Sequence, residues 1–564
     1  MTDKRQDSTQ QKSQDAPAQG LRAPRSSTPS VAPASSERDS LIEENFAKVE
    51  RLGKARISRL VLEFSIPSII GLVVNGLYNI ISAVFLGWAD GQAGLAVATI
   101  AMPTMIFSMA VSILIGAGGN AVLALRLGEG KHEIAERILG NAFILTIVAS
   151  VLCTAFVCIF TDQVLVISGA TPEIWEVSRD FIRILAIGFF LQFFGLGFNN
   201  FIRTAGDPNR ALYTMVAGTV VCIILSYFFV MVFQWGVAGM GWATVIGQAV
   251  SAVLVFWYFA FSKKAPFKLR ISEFRLQMPL VRSILALGSA PFALQLANAI
   301  VNFFINNQLV AYGALHVIGS QGALASIGVV VRIALFAFFP VLGVATAVQP
   351  IFGFNYGARN FDRVKATFKA AFAWVVAIGI FFWVIVHAMP EPLVDIFGVK
   401  SDLREFTIFA LKVQVFMLPV MGLQVVSANY FQSSGQPIKA MFLTLTRQIL
   451  YLIPLLYLLP LVIRASGVFG LNPLDGVYFA YPVADFLSII TAAIMMIVEW
   501  RRLTRLMREG GMREGGMREG GDTGRKGDAG PKADASRKGG PRNSAGQGDS
   551  PLPRKQHTEK GEGS

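Results

Sequence analysis

The sequence predicts an all-α polytopic membrane protein, with twelve transmembrane helices in two pseudo-symmetric six-helix lobes. Three observations carry the prediction. First, 53% of the 564 residues are hydrophobic and only 15% charged, which is too apolar for a soluble chain of several domains. Second, crossing a bilayer takes about 20 mainly apolar residues. Stretches of that kind lie near 60–87, 95–123, 138–160, 179–201, 211–233, 239–261, 283–312, 322–351, 367–389, 403–431, 440–463 and 476–500. Third, the chain repeats itself. Gly128 recurs as Gly357, Gly169 as Gly398, Asn200 as Asn429, Gly206 as Gly435 and Pro208 as Pro437, each pair 229 residues apart. The runs are continuous rather than alternating, so they fit helices and not the strands of a membrane barrel.

Taken in order, residues 1–40 are polar and rich in Ser, Gln, Pro and Ala, with no cleavable signal peptide in view and too little apolar surface to offset ordering entropy. Residues 41–59 place Ile42, Phe46, Val49 and Leu52 at helical spacing among charges, as an interfacial helix would. Two six-helix lobes follow, 60–261 and 283–500, joined by a polar linker at 262–282. Residues 501–564, with Met-Arg-Glu-Gly-Gly three times between Met507 and Gly521, are expected to be a second disordered tail.

The net charge of +14 is distributed by topology. Arg126, Lys131, Arg137, Arg203, Arg210, Lys263, Lys264, Lys268, Arg359, Arg363 and Lys439 follow even-numbered spans, whereas the alternate loops carry Asp90, Asp162, Glu173, Glu176 and Glu391. By the positive-inside rule both termini face the cytoplasm. A nucleic-acid partner is therefore not needed to explain the charge. Cys153, Cys158 and Cys222 fall inside spans and imply no disulfide framework. The four histidines have no neighbouring Cys or carboxylates at metal-ligand spacing, and no enzyme constellation, metal site or cofactor is expected.

Polar side chains in a span are costly unless they face a bundle interior or water, so polar stripes mark functional faces. The first span carries Asn75, Tyr78, Asn79 and Ser82 within about 100° of one another, and the seventh carries Gln295, Asn298, Asn302 and Asn306 within about 80°. Equivalent stripes in both halves point to a shared substrate pathway, to which Gln192 of span 4 adds. Asn200 and Asn429, near span ends, read better as packing residues. Arg332 lies roughly 15 Å into span 8 and Asp485 roughly 13 Å into span 12 at 1.5 Å per residue. Their matched depth predicts an Arg332–Asp485 pair, either structural or proton-coupled.

The stretches Gly116-Ala-Gly-Gly-Asn-Ala, Asn199-Asn-Phe-Ile-Arg-Thr-Ala-Gly-Asp-Pro208, Gln349-Pro-Ile-Phe-Gly-Phe-Asn-Tyr-Gly-Ala358 and Asp475-Gly-Val-Tyr-Phe-Ala-Tyr-Pro-Val-Ala-Asp485 resemble the multidrug and toxic compound extrusion (MATE) transporters, in the bacterial branch of Mep-type and DinF-like exporters. The resemblance spans about residues 58–500. It implies a cleft between two lobes and export of cationic or amphipathic drugs from a bacterial inner membrane, driven by H⁺ or Na⁺, by a monomer among membrane lipid. It also implies acids in the first lobe, and there the chain has Ser82 and Ser226 instead. Serine can help ligate Na⁺ but does not titrate near neutral pH. Coupling is therefore expected either at Asp485 and its surroundings, with Arg332 and Ser226 as further candidates, or by a different arrangement. The alternatives are a flippase for a lipid-linked substrate, implied by the broader superfamily, and an exporter of a specific metabolite.

Overall fold

The structure is a computed structural model describing residues 46–399, 401–466 and 472–522; the N-terminal tail before Phe46 and the segment 523–564 lie outside the described residues. Among the described residues, ten helices are long and apolar enough to cross a bilayer: Ile57–Gly91, Ala96–Gly128, Ile134–Ile159, Pro208–Val232, Gly236–Ala260, Met278–Gly313, Gly319–Gly357, Phe361–Ala388, Pro437–Ala465 and Pro473–Glu509. Two bent pairs, Pro172–Ile187 with Phe189–Thr204 and Leu403–Val415 with Leu418–Ser433, complete twelve spans when each pair counts as one. They are numbered 1–12 along the chain. Each falls on one of the apolar stretches read from the sequence.

Departures from straight helices have local causes. Span 10 bends by 44° just before Pro419, which has no N–H to continue the hydrogen-bond ladder. Its counterpart, span 4, bends by 50° at Gly188. Span 5 ends in a π-helical turn over Tyr227–Val232, and span 11 contains one over Thr446–Leu452. Gly206 (φ +89°) and Gly435 (φ +77°) sit in the left-handed region before Pro208 and Pro437. One repeated turn thus starts spans 5 and 11, with a glycine where the backbone needs φ > 0 and a proline at the first helical turn.

The last helix runs on past the twelfth apolar stretch, from Pro473 to Asp522. Leu, Met, Arg and Glu are good helix formers and dominate the stretch up to Arg508.

The two lobes touch along spans 1, 2, 7 and 8 through small residues. A side chain on Gly288 of span 7 would collide with the Leu114 carbonyl of span 2, and one on Gly118 would meet the Ile284 carbonyl and the Gly288 backbone. Gly343 of span 8 lies on the backbone of Ile69, and Gly76 of span 1 lies under the Phe339 ring. Gly128 abuts the Phe354 carbonyl while Gly357 abuts that of Leu125. Adding 229 to Leu125 gives Phe354 and adding it to Gly128 gives Gly357, so these two contacts are images of one another under the internal repeat.

Apart from the Gly76–Phe339 contact near mid-span, these contacts lie toward the end of the bundle from which span 1 starts, its chain-end side, which also carries the inter-lobe segment. A short helix, 46–54, sits there with Val49 and Leu52 fully buried. Asn355 Nδ2 donates to the Leu52 carbonyl at 2.9 Å, and Arg363 Nη2 donates to Leu52 at 3.2 Å and to Ala55 at 2.7 Å. On the first-lobe side the Phe46 ring meets His132 edge-on at 4.6 Å. The helix thus ties both lobes together. Hydrogen bonds from a charged donor contribute about 1.5–3 kcal/mol each, so Arg363→Ala should free this segment. Hydrogen exchange at the amides of residues 49–55 is expected to accelerate roughly tenfold or more, since about 1.4 kcal/mol is a factor of ten; unchanged protection would show that Arg363 does not hold it.

Candidate functional site

Beyond those contacts the facing surfaces of the central spans part. On span 8, Gly343, Phe339, Phe336, Arg332 and Gly328 fall within about 80° of one another at 100° per residue. The first two touch span 1, whereas Phe336 and Arg332 are exposed and Gly328 faces open space. On span 1 the same face continues from Ile69 and Gly76 to Ile80 and Val84, 47% and 43% exposed. On span 7, Ile284 and Gly288 lead to Gln295, Asn302 and Asn306 within about 40°. Asn302 and Asn306 are exposed, and Gln295 is half-buried. Outward of the glycine contacts these faces carry exposed side chains, the arrangement expected of cleft walls that meet at the chain-end side.

The two polar stripes expected to share this cleft separate in the structure. Tyr78 and Ser82 lie roughly opposite the cleft face of span 1 and turn into the first lobe. There the Tyr78 hydroxyl meets Thr244 Oγ1 at 3.0 Å and neighbours Ser82 and Cys222. Ser226 donates to the Cys222 carbonyl at 2.7 Å, and Ser82 Oγ is buried beside the Tyr78 hydroxyl. Ser82 and Ser226 thus border one polar cluster between spans 1, 5 and 6, with no carboxylate among its described members. Asn75 is exposed on span 1, and the side chain of Asn79 lies outside the described ones. Gln192 accepts from Ser108 of span 2 at 3.2 Å, within the first lobe.

In span 7, Asn298 leaves the amide stripe and accepts from Gln448 of span 11 at 2.8 Å. Gln448 lies in the π-helical turn, and its neighbour Arg447 forms an ion pair with Asp485. The expected Arg332–Asp485 pair is therefore not present. Arg332 lies on the face of span 8 that looks toward span 1, whereas Asp485 is 3% exposed inside the second lobe. Tyr481, also buried, lies beside the Arg447–Asp485 pair. Arg332 itself makes no hydrogen bond or ion pair with a described residue. Sequence depth paired the wrong arginine because depth is blind to the face a side chain occupies.

Packing accounts for other polar residues. Gln349 Nε2 donates to Asn429, and Asn199 donates to the Ala211 carbonyl at 2.7 Å and to Thr214 at 2.9 Å. Met102, Met105 and Met109 are exposed on span 2. Sequence reasoning passed over Lys412. It lines a cavity of about 410 Å³ with His387, Phe416, Phe479 and Phe486, at the bend of span 10. A lone lysine within an apolar span was its available signal.

A family model described as MatE matches residues 67–228 and again 293–458, once in each half of the chain. The chain is similar to the Multidrug export protein MepA of Staphylococcus haemolyticus, 22% identical over 453 residues, covering 80% of this chain and 96% of that protein. It is likewise 22% identical over 456 residues to MepA of Staphylococcus aureus strain MSSA476, with the same coverage. Among solved structures it resembles a multidrug resistance MATE family transporter of the MOP superfamily in its outward-facing conformation. The TM-score is 0.75 at 22% identity, covering 81% of this chain and 98% of that one. It also resembles a MOP superfamily transporter of Pyrococcus furiosus described by the reverse polarity of its binding pocket, with TM-score 0.72 at 22% identity, covering 79% and 97%.

Proposed function

The chain belongs to the MatE family of membrane transporters, and from that membership we propose that it exports small amphipathic, drug-like compounds by alternating access, as an antiporter driven by H⁺ or Na⁺. The observation that carries the reading is the cleft between the lobes, shut at the chain-end side by glycine-mediated contacts and helix 46–54, and lined farther out by the amides of span 7 and Arg332. Doubled membrane folds bind cargo where their halves meet and rock one half against the other. The curated relatives named as multidrug exporters support the cargo class. The cation-rich loops support a cytoplasmic chain-end side in a bacterial inner membrane, which makes this arrangement the outward-open one. The protein works as a monomer in this reading.

Two sites are offered for the coupling ion. The first-lobe cluster of Tyr78, Ser82, Ser226 and Thr244 supplies oxygens that suit a hard cation such as Na⁺ but no group that titrates near neutral pH. Asp485 supplies a carboxylate, and a proton arriving there would release Arg447. Purified protein in vesicles, loaded with cationic and anionic amphipathic fluorophores, should extrude at least one dye under an imposed H⁺ or Na⁺ gradient. Export that stops when the gradient is collapsed supports the antiporter; no gradient-driven movement of any dye would sink it.

A further inference from the structure

The charge of the cleft points to the charge of its cargo. Spans 1, 2, 7 and 8 contain only two acidic residues, Glu63 and Asp90. Glu63 pairs with Arg51 at 3.0 Å at the closed end. Asp90 lies at the far end of span 1, against Gly236 at the start of span 6, and so faces the first lobe. Neither reaches the faces that bound the cleft. Asp485, inside the second lobe, is taken by Arg447. The charge on those faces is therefore Arg332. It is exposed, makes no ion pair or hydrogen bond with a described residue, and sits roughly 10 Å outward of the Phe339 contact by helical rise.

An uncompensated guanidinium in a span is costly, and such residues mark ligand or ion pathways. Its planar fork of donors suits carboxylate, sulfonate or phosphate oxygens. In the same lobe, span 7 offers Gln295, Asn302 and Asn306, which can hydrogen-bond an oxyanion or its polar neighbours without adding charge. Around them Ile80, Val84 and Phe336 present apolar surface. Organic cations would want a carboxylate here, and among the described residues of these faces there is none.

We propose that the cargo is an anionic amphiphile, an apolar body carrying a carboxylate, sulfonate or phosphate, and that Arg332 binds its charge. The proposal rests on the export reading above and narrows it.

The test uses two probes with one ring system and opposite charge, 2-naphthalenesulfonate and 2-naphthyltrimethylammonium, bound at equilibrium to the full chain in lipid nanodiscs. The unaltered protein should bind the sulfonate at least tenfold more tightly. Arg332→Lys should keep that sign of preference, Arg332→Gln should abolish it, and Arg332→Glu should invert it. An arginine that only supports the fold would weaken both probes together and could not invert the preference. Two further arms separate the sources of an anionic cargo in vesicles. Gradient-driven export of the sulfonate assigns a free amphiphile, whereas movement of a fluorescent phosphatidylglycerol between leaflets assigns a membrane lipid. Equal or tighter binding of the ammonium by the unaltered protein, or binding of neither probe, overturns the proposal. If the ammonium is nonetheless exported under a gradient, the antiporter reading stands while the charge assignment falls. If the sulfonate binds with an invertible preference and no probe moves, the reverse holds.

Discussion

Gly288→Leu is expected to lower transport to background while leaving both lobes folded. A leucine there must displace the Leu114 carbonyl and with it the span 2 backbone, and a backbone cannot move aside as the end of a side chain can. Overpacking a tight contact costs about 1–3 kcal/mol or more. Here the cost falls on the state in which spans 2 and 7 close together. A bias of about 3 kcal/mol shifts a two-state equilibrium roughly 150-fold, enough to remove the closed-end state from the cycle. Leu125 reports the change, because Gly357 and Gly435 cover it from the other lobe. With the exposed Cys158 replaced by serine, the thiol introduced by Leu125→Cys should react with a membrane-impermeant maleimide from the chain-end side in the Gly288→Leu background and scarcely at all without it. Gly328→Ala is the control, since Gly328 faces open space on a neighbouring span. Equal loss of transport in the control, or an unreactive thiol at that position in the Gly288→Leu background, would show that the glycine contact does not govern the closed end.

That contact also shows what could be read in advance. The twelve spans were legible because hydrophobic length is a local property. The repeat was legible because the same backbone demands recur: a left-handed glycine before Pro208 and Pro437, and close approach at Gly128 and Gly357. The Gln295, Asn302 and Asn306 face was legible because helical spacing alone puts it on one side. Which side chains meet in three dimensions was not. Tyr78 and Ser82 share a stripe with Asn75, yet they turn to Thr244 and Cys222 inside the first lobe. Arg447 reaches Asp485 from a π-helical turn, and no spacing rule for a regular helix reports such a turn. Lys412 went unnoticed because its cavity exists only at the bend of span 10.

The Arg447–Asp485 pair separates two roles that a single substitution confuses. Asp485→Asn removes the partner of an arginine whose side chain is only 18% exposed, and breaking a buried pair in this way costs about 3–5 kcal/mol. The variant should therefore lose both thermal stability and transport, and the loss of transport alone would say nothing about protons. The paired variant Arg447→Gln with Asp485→Asn removes both charges, keeps two side chains able to hydrogen-bond, and avoids leaving a lone buried ion. Replacing a buried ion pair by neutral groups is often close to neutral in stability, so the paired variant should recover most of the loss. Its transport then discriminates. With Asp485 as the proton carrier, the recovered protein binds cargo with unaltered affinity yet shows no H⁺-driven export, because no titratable group remains at that position. A purely structural pair predicts the opposite, stable protein with H⁺-driven export intact, and that result would move the search for the coupling site to the first-lobe cluster around Ser82 and Ser226.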